Sequence, residues 1–306
     1  MNTHASPLSV IKTLENVLLG KLHEIKLSLA CVLSGGHLLL EDVPGVGKTT
    51  LAQGLAQELG LQSTRIQFTS DLLPSEITGG SIFDPAANEY RVHRGPIFTQ
   101  LVIADEINRA TPRTQSALLE AMSVRNVSIE GHTHPLDPNF TVIATQNPSY
   151  QTGTYPLPES QLDRFTMSLS LGYPDPSHER QLYAAAQTSE TKNHEARQCS
   201  ADLTTWRRQV EDVHCSGELI AYLQRLVEAT RVSDDLALGL SPRAGLQWLA
   251  AGRAWAFLND RDHVLPDDIQ DVAMPVIKHR CIATHHNSHS ANRALEEIIQ
   301  NTSVYS

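Results

Sequence analysis

The segment that most constrains this chain is Glu41-Asp-Val-Pro-Gly-Val-Gly-Lys-Thr-Thr50. An apolar run, His37–Leu40, leads into it, and a helical pattern, Thr49–Leu59, leads away. Gly45 and Gly47 let the backbone wrap tightly with its N–H groups inward. The helix that follows adds the positive end of its dipole. Strand, glycine turn and helix N-terminus in that order make a phosphate cradle, the P-loop. Its candidate residues are Asp42, Val43, Pro44, Gly45, Val46, Gly47, Lys48, Thr49 and Thr50. Lys48 is expected to reach the β- and γ-phosphates of ATP, and the Thr49 hydroxyl to ligate Mg²⁺. The usual pattern opens on glycine where this chain has Asp42, but the phosphate-wrapping part, Gly45 to Thr49, is intact. The alternative, a glycine turn with a chance lysine, does not account for the flanking strand and helix.

Four more apolar runs follow: Thr64–Phe68, Leu101–Ala104, Thr141–Thr145 and Met167–Leu171. Near-continuous apolar character suits strands of a parallel sheet covered on both faces. Helical patterns lie between them, as at Arg113–Met122, where Ala117, Leu118, Ala121 and Met122 recur at helical spacing. The alternation predicts a doubly wound α/β domain over residues 1–173 with a five-stranded parallel sheet. After the Pro-rich stretch Gly172–Pro176 the pattern turns almost wholly helical, so a second, smaller helical domain is expected over 174–306. Ser241-Pro242 supplies an N-cap and a first-turn proline. Pro266-Asp-Asp268 opens a further helix, whose apolar face continues through Ile269, Val272, Ala273 and Val276. Gln187 to Thr204 is polar and irregular and reads as an exposed connection.

Leu101-Val-Ile-Ala-Asp-Glu106 is an apolar strand ending in two acids. Two charges at the end of a buried strand are costly unless they have partners or a task. Asp105 is the candidate to hold Mg²⁺, and Glu106 the candidate to orient and polarise an attacking water. A net charge of −10 argues against a general nucleic-acid binder. Cys31, Cys199, Cys215 and Cys281 are scattered without a C-x-x-C pair, which suits free thiols in a reducing compartment. No apolar run reaches transmembrane length, and Met1–Pro7 lacks the features of a secretory signal. A cytoplasmic location is the expectation. His285, His286 and His289 near the C-terminus read as solvated side chains rather than a metal site.

Several longer segments resemble the MoxR family of AAA+ ATPases. Asp105-Glu-Ile-Asn-Arg-Ala-Thr-Pro-Arg-Thr-Gln-Ser-Ala-Leu-Leu-Glu-Ala-Met122 is similar to the family's Walker B region. Ile66–Gly79 and Arg94–Phe98 resemble family segments as well. Thr145-Gln-Asn-Pro148 resembles its sensor 1, Leu157–Phe165 its arginine-finger segment, and Leu240–Ala244 its sensor 2. The likeness runs in order from Leu18 to Arg280. It implies an AAA+ αβα core followed by an all-helical lid.

The resemblance also implies roles. Asn147 would hydrogen-bond the attacking water or the γ-phosphate, although an Asn-Pro turn is the plainer reading. Arg164 would be a finger presented to the neighbouring subunit, so that hydrolysis implies a ring, most simply a hexamer. The plainer reading is an Asp163–Arg164 surface pair. Arg243, at the start of a lid helix, would sense the γ-phosphate in its own subunit or the next, where the plainer reading is a solvated first-turn arginine. Arg109 and Arg113 are either contacts to the adjacent subunit or ordinary surface charges. Gly79–Pro96 and the hairpin Val127–His134 resemble the insertions of the helix-2-insert branch, with surface hairpins as the plainer reading. The expected activity is Mg²⁺-dependent ATP hydrolysis that drives chaperone-like remodelling or maturation of a client. A protein with a von Willebrand A domain is an expected partner, and no nucleic acid is expected. The alternatives are a nucleic-acid-associated motor and a nucleotide-gated scaffold that does not hydrolyse.

Overall fold

The structure, a computed structural model, describes residues 6–85, 88–147, 153–187, 202–284 and 288–304. In chain order the first nine strands are β1 (Leu38–Glu41), β2 (Ser63–Gln67), β3 (Gly79–Asp84), β4 (Glu89–Arg94), β5 (Leu101–Asp105), β6 (Asn126–Ile129), β7 (His132–Pro135), β8 (Thr141–Gln146) and β9 (Met167–Leu169). Five of them form one sheet in the order β2-β5-β8-β1-β9. β2 runs parallel to β5, and β5 parallel to β8. Every residue of β5 is buried, as are the first five of β8 and the three leucines of β1. A strand with neighbours on both sides and cover on both faces needs this unbroken apolar run. β2 lies at the sheet edge and alternates instead: Ile66 is buried while Arg65 and Gln67 are exposed. The period of two puts those polar side chains on one face. All five strands fall on the predicted runs, with no end displaced by more than two residues.

The chain divides into two compact units. The first comprises Met1–Ile25, Leu39–Leu157 and Ser170–Asp202; the second comprises Lys26–Leu38, Pro158–Leu169 and Leu203–Ser306. The units interleave along the sequence, where the sequence pattern suggests a single boundary at 173.

In the first unit, helix Lys48–Glu58 follows the glycine turn, and helix Pro112–Val124 begins with a proline, whose missing N–H costs nothing in the first turn. Helix Pro7–Glu15 opens on Ser6, whose hydroxyl accepts from the Ser9 N–H. It packs on helix Lys48–Glu58 so closely that a β-carbon at Gly54 would sit 2.5 Å from Leu14 Cδ2. Two antiparallel hairpins leave this unit. β3–β4 occupies the expected Gly79–Pro96 insertion, and β6–β7 the expected Val127–His134 hairpin. In the β6–β7 turn, Glu130 and Gly131 both have positive φ, 49° and 79°, the pattern of a tight turn that matches strand twist.

The second unit is helical, with Tyr222, Trp248, Leu226, Ile277 and Leu295 in its core. Ser216 and Ser241 cap helices Gly217–Val232 and Pro242–Leu258 through their hydroxyls. Asp268 caps rather than merely charges its helix: the carboxylate accepts the Leu265 N–H at 2.8 Å and is held by both terminal nitrogens of Arg261. Two details depart from the sequence pattern. Ile269, Val272, Ala273 and Val276 are all buried, but the helix is broken at Val272 into two, Pro266–Asp271 and Ala273–Ile277. Pro275 has no N–H to offer the preceding turn, so one continuous helix is disfavoured there. The unit also contains a small antiparallel pair, β10 (Leu236–Leu238) with β11 (Ile282–Ala283). Among the described residues, Cys31, Cys215 and Cys281 are free, and no helix is long and apolar enough to cross a membrane. Cys199, His285 and His286 lie outside the described residues, as does the side chain of His289.

Candidate active site

The carboxyl ends of β1, β5 and β8 converge on the glycine turn, and a cavity of about 320 Å³ opens there. Gly45 and Gly47 have φ of 86° and 98°, backbone that a side chain would strain. A β-carbon at Gly45 would meet nothing within 4 Å, so its backbone faces open space, and Gly47 caps the helix whose first residues are Lys48 and Thr49.

Lys48 is 8% exposed. Its ammonium donates to the Asp42 carbonyl, to the Val43 carbonyl at 3.1 Å and to Asn147 Oδ1 at 3.0 Å. Burial pushes its pKa down, while Asp42, Glu106, Asp105 and Glu41 pull it up; burial prevails. Asp42, at the position where the usual motif has glycine, anchors the turn. Its carboxylate accepts from the Val43 N–H (2.7 Å), the Ser170 hydroxyl (2.8 Å) and the Gly172 N–H (2.6 Å). Burial alone would raise its pKa, but these bonds and the nearby Lys48 charge hold it below the usual carboxylate value.

Asp105 is 2% exposed. Its Oδ1 accepts from the hydroxyls of Thr49 (3.1 Å) and Thr145 (3.2 Å), and its Oδ2 from Arg65 Nε at 2.5 Å. Glu106 sits just past the strand in left-handed backbone, φ 55°. Such a conformation costs a non-glycine residue roughly 1–3 kcal/mol and persists where the surroundings enforce it. The enforcing bonds are its own N–H to Thr145 Oγ1 (3.0 Å) and the Arg109 N–H to its carbonyl (2.8 Å). The turn aims the Glu106 carboxylate into the cavity. There Oε1 accepts from Asn147 Nδ2 at 3.1 Å, and Oε2 pairs with Arg109 Nε at 2.7 Å and Gln67 Nε2 at 3.3 Å. Asn147 is 4% exposed and bridges the two charged groups, accepting from Lys48 and donating to Glu106. Its carbonyl accepts from Asn108 Nδ2 at 2.9 Å.

The structure thus brings together Asp42 to Thr50, Asp105, Glu106 and Asn147. It adds Arg65, Gln67 and Thr145, to which sequence reasoning assigned no role, and places Arg109 against Glu106 within the same chain. The cavity suits a nucleoside triphosphate with Mg²⁺. Its walls offer inward backbone, a buried ammonium, and the hydroxyl and carboxylate oxygens of Thr49 and Asp105, which are hard donors of the kind Mg²⁺ prefers.

Arg164 and Arg243 belong to the second unit. Arg164 follows the short helix Glu159–Leu162 and is half-buried. The Asp163 carboxylate beside it accepts from the Ser241 hydroxyl at 3.3 Å and lies 3.4 Å from Arg280 Nε. Arg280 also donates to the Phe165 carbonyl at 2.5 Å. Burial pushes the Arg280 pKa down to about 10 against the pull of Asp163. Arg243 is exposed in the first turn of helix Pro242–Leu258.

Comparison with known proteins agrees with this geometry. Residues 37–167 match the family model described as "ATPase family associated with various cellular activities (AAA)", and residues 228–301 match the AAA lid domain. The uncharacterized protein YeaC of Bacillus subtilis is 44% identical over 88% of this chain and 85% of its own length. The chaperone MoxR1 of Mycobacterium tuberculosis is 39% identical over 89% of this chain and 74% of its own. A crystal structure of a protein assigned as an ATPase, from Cytophaga hutchinsonii, superimposes with a TM-score of 0.88 at 36% identity, covering 97% of this chain and 94% of that one. With this cavity, this sheet order and these relatives, the chain belongs to the MoxR family of AAA+ ATPases.

Proposed function

We propose that this chain hydrolyses ATP with Mg²⁺ as one subunit of an oligomeric ring, most simply a hexamer, and uses the cycle to remodel or mature a client protein. The observation that carries the catalytic part is the Asn147 bridge. A single buried amide ties the phosphate-binding Lys48 to Glu106, at 3.0 and 3.1 Å. The carboxylate is thereby aimed at the region where a phosphoryl group held by Lys48 would be attacked.

In this reading the backbone of Pro44 to Gly47 and the Lys48 ammonium bind the β- and γ-phosphates, and Thr49 and Asp105 hold Mg²⁺. Bound Mg²⁺ would draw charge from the phosphate oxygens. Glu106 orients water and accepts its proton, and Asn147 and Gln67 fix the direction of the carboxylate. The hydrolytic step gains from positioning and charge stabilisation more than from covalent chemistry. Arg164 stabilises charge on the γ-phosphate of the neighbouring subunit, and Arg243 reports nucleotide state to the lid. Client remodelling follows from the chaperone name of the Mycobacterium tuberculosis relative. A von Willebrand A domain partner follows from the family resemblance, and a cytoplasmic location from the sequence pattern.

The test is steady-state ATPase rate against protein concentration, for wild type and for Arg164→Ala mixed with Glu106→Gln. A specific rate that rises with concentration, with partial recovery in the mixture, supports a site shared between subunits. A concentration-independent rate without recovery removes Arg164 from the site. ATP binding without turnover in the wild type points instead to a nucleotide-gated scaffold.

A further inference from the structure

The Asp105 carboxylate is almost fully buried, and a buried anion must be compensated. Its Oδ1 is compensated by two neutral hydroxyls, those of Thr49 and Thr145. Its Oδ2 faces the Arg65 guanidinium, with Nε at 2.5 Å. Lys48, which also lines the cavity, directs its hydrogen bonds to Asp42, Val43 and Asn147. The countercharge of the metal carboxylate therefore comes from an arginine, in the place where a divalent cation would serve the same purpose.

The two side chains differ sharply in exposure, 53% for Arg65 and 3% for Asp105. Arg65 stands on the edge strand β2, on the face it shares with Gln67. From an edge position the long side chain reaches solvent without unpacking anything. Asp105, at the end of a fully buried strand, has no such freedom. The pair thus has one fixed member and one that can leave.

We propose that Arg65 is a positioning residue of the metal site. It holds the Asp105 carboxylate while no cation is bound and yields when Mg²⁺ loads, so it sets the Mg²⁺ concentration at which the site fills. The proposal rests on the reading of Asp105 as a metal ligand. The chemistry is a competition of two cations for one carboxylate. A partly exposed ion pair offers modest resistance, about fivefold in a binding constant.

The test uses the full chain and a fluorescent ADP analogue, with no turnover in the readout. Analogue affinity is measured with EDTA and across a Mg²⁺ titration, for wild type, Arg65→Ala, Arg65→Lys and Asp105→Asn with and without Arg65→Ala. The expected result is that Arg65→Ala lowers the half-saturating Mg²⁺ concentration about fivefold, with Arg65→Lys between it and wild type. Arg65→Ala does not shift the Mg²⁺ requirement in the Asp105→Asn background. The lysine variant retains a cation on β2, so the proposal stays testable if the alanine variant folds poorly. An unchanged or raised Mg²⁺ requirement in Arg65→Ala overturns the proposal. So does a loss of affinity in EDTA that is as large in the Asp105→Asn background as in the wild type, which would make Arg65 a phosphate ligand. Nucleotide binding by the wild type that is indifferent to Mg²⁺ overturns this inference and the metal-site reading together, and so separates the two failures.

Discussion

Replacing Asn147 with alanine tests the side chain that bridges Lys48 and Glu106. The change removes one hydrogen bond to a carboxylate and one from an ammonium. Bonds to charged groups are worth about 1.5–3 kcal/mol each. The two losses fall unequally. Lys48 keeps two backbone carbonyls, so nucleotide affinity is expected to fall no more than about fivefold. Glu106 keeps Arg109 and Gln67 on Oε2 but loses the donor to Oε1, the contact that fixes the direction of that oxygen. A loss of about 2 kcal/mol in transition-state positioning predicts a kcat about 30-fold lower. The assay pairs steady-state phosphate release with equilibrium binding of an ADP analogue. A kcat within about threefold of wild type, or a loss confined to binding, would refute the reasoning that Asn147 acts through Glu106.

Two further outcomes follow from titratable groups. Asp42→Ala deprives two backbone N–H groups and the Ser170 hydroxyl of their acceptor; with the site partly open to water, urea unfolding is expected to show a loss of about 1–2 kcal/mol. Because the folded Asp42 carboxyl is held below its ordinary value, its contribution is present above about pH 4 and is lost on acidification; the variant's stability is expected to change less with pH there. His279 is half-buried and hydrogen-bonded to the Phe165 carbonyl, and desolvation of its ring together with Arg280 pushes its pKa down to about 3. The unfolded chain therefore binds a proton that the folded chain refuses between about pH 6.5 and 3. Wild type is expected to lose stability across that window by up to about 1.4 kcal/mol per pH unit, and His279→Gln, measured by thermal unfolding from pH 7 to 4, to show a flatter profile. Equal slopes for the two proteins would exclude His279 as the source.

The parts of the site that were legible in the sequence are those whose signals are local. The glycine turn needs only its own residues and the strand and helix that flank it. β5 announces itself as an apolar run ending in two acids. The β6–β7 hairpin was visible in the alternation of Val127 and Ile129 before a glycine. Arg65 and Gln67 were harder to see because they sit inside the run Thr64–Phe68, which reads as one more buried strand. The signal was their period-two alternation with Ile66, the mark of an edge strand with one polar face. Thr145 opens the segment that resembles sensor 1, yet its part in bonding both Asp105 and the Glu106 N–H depends on strand order, which no local pattern encodes. The burial of Arg280 likewise depends on Asp163, 117 residues away in sequence. β10 and β11, three and two residues long, are too short for any periodicity to register.

The central claim is that the cavity formed by Lys48, Asp105, Glu106 and Asn147 hydrolyses ATP. The most direct measurement is phosphate release by the purified chain with ATP, with and without Mg²⁺, for wild type and Glu106→Gln, alongside ATP binding by both. The account predicts Mg²⁺-dependent turnover in the wild type and a loss of at least about 100-fold in Glu106→Gln, with ATP binding preserved. Turnover that survives the substitution, or turnover indifferent to Mg²⁺, would contradict it.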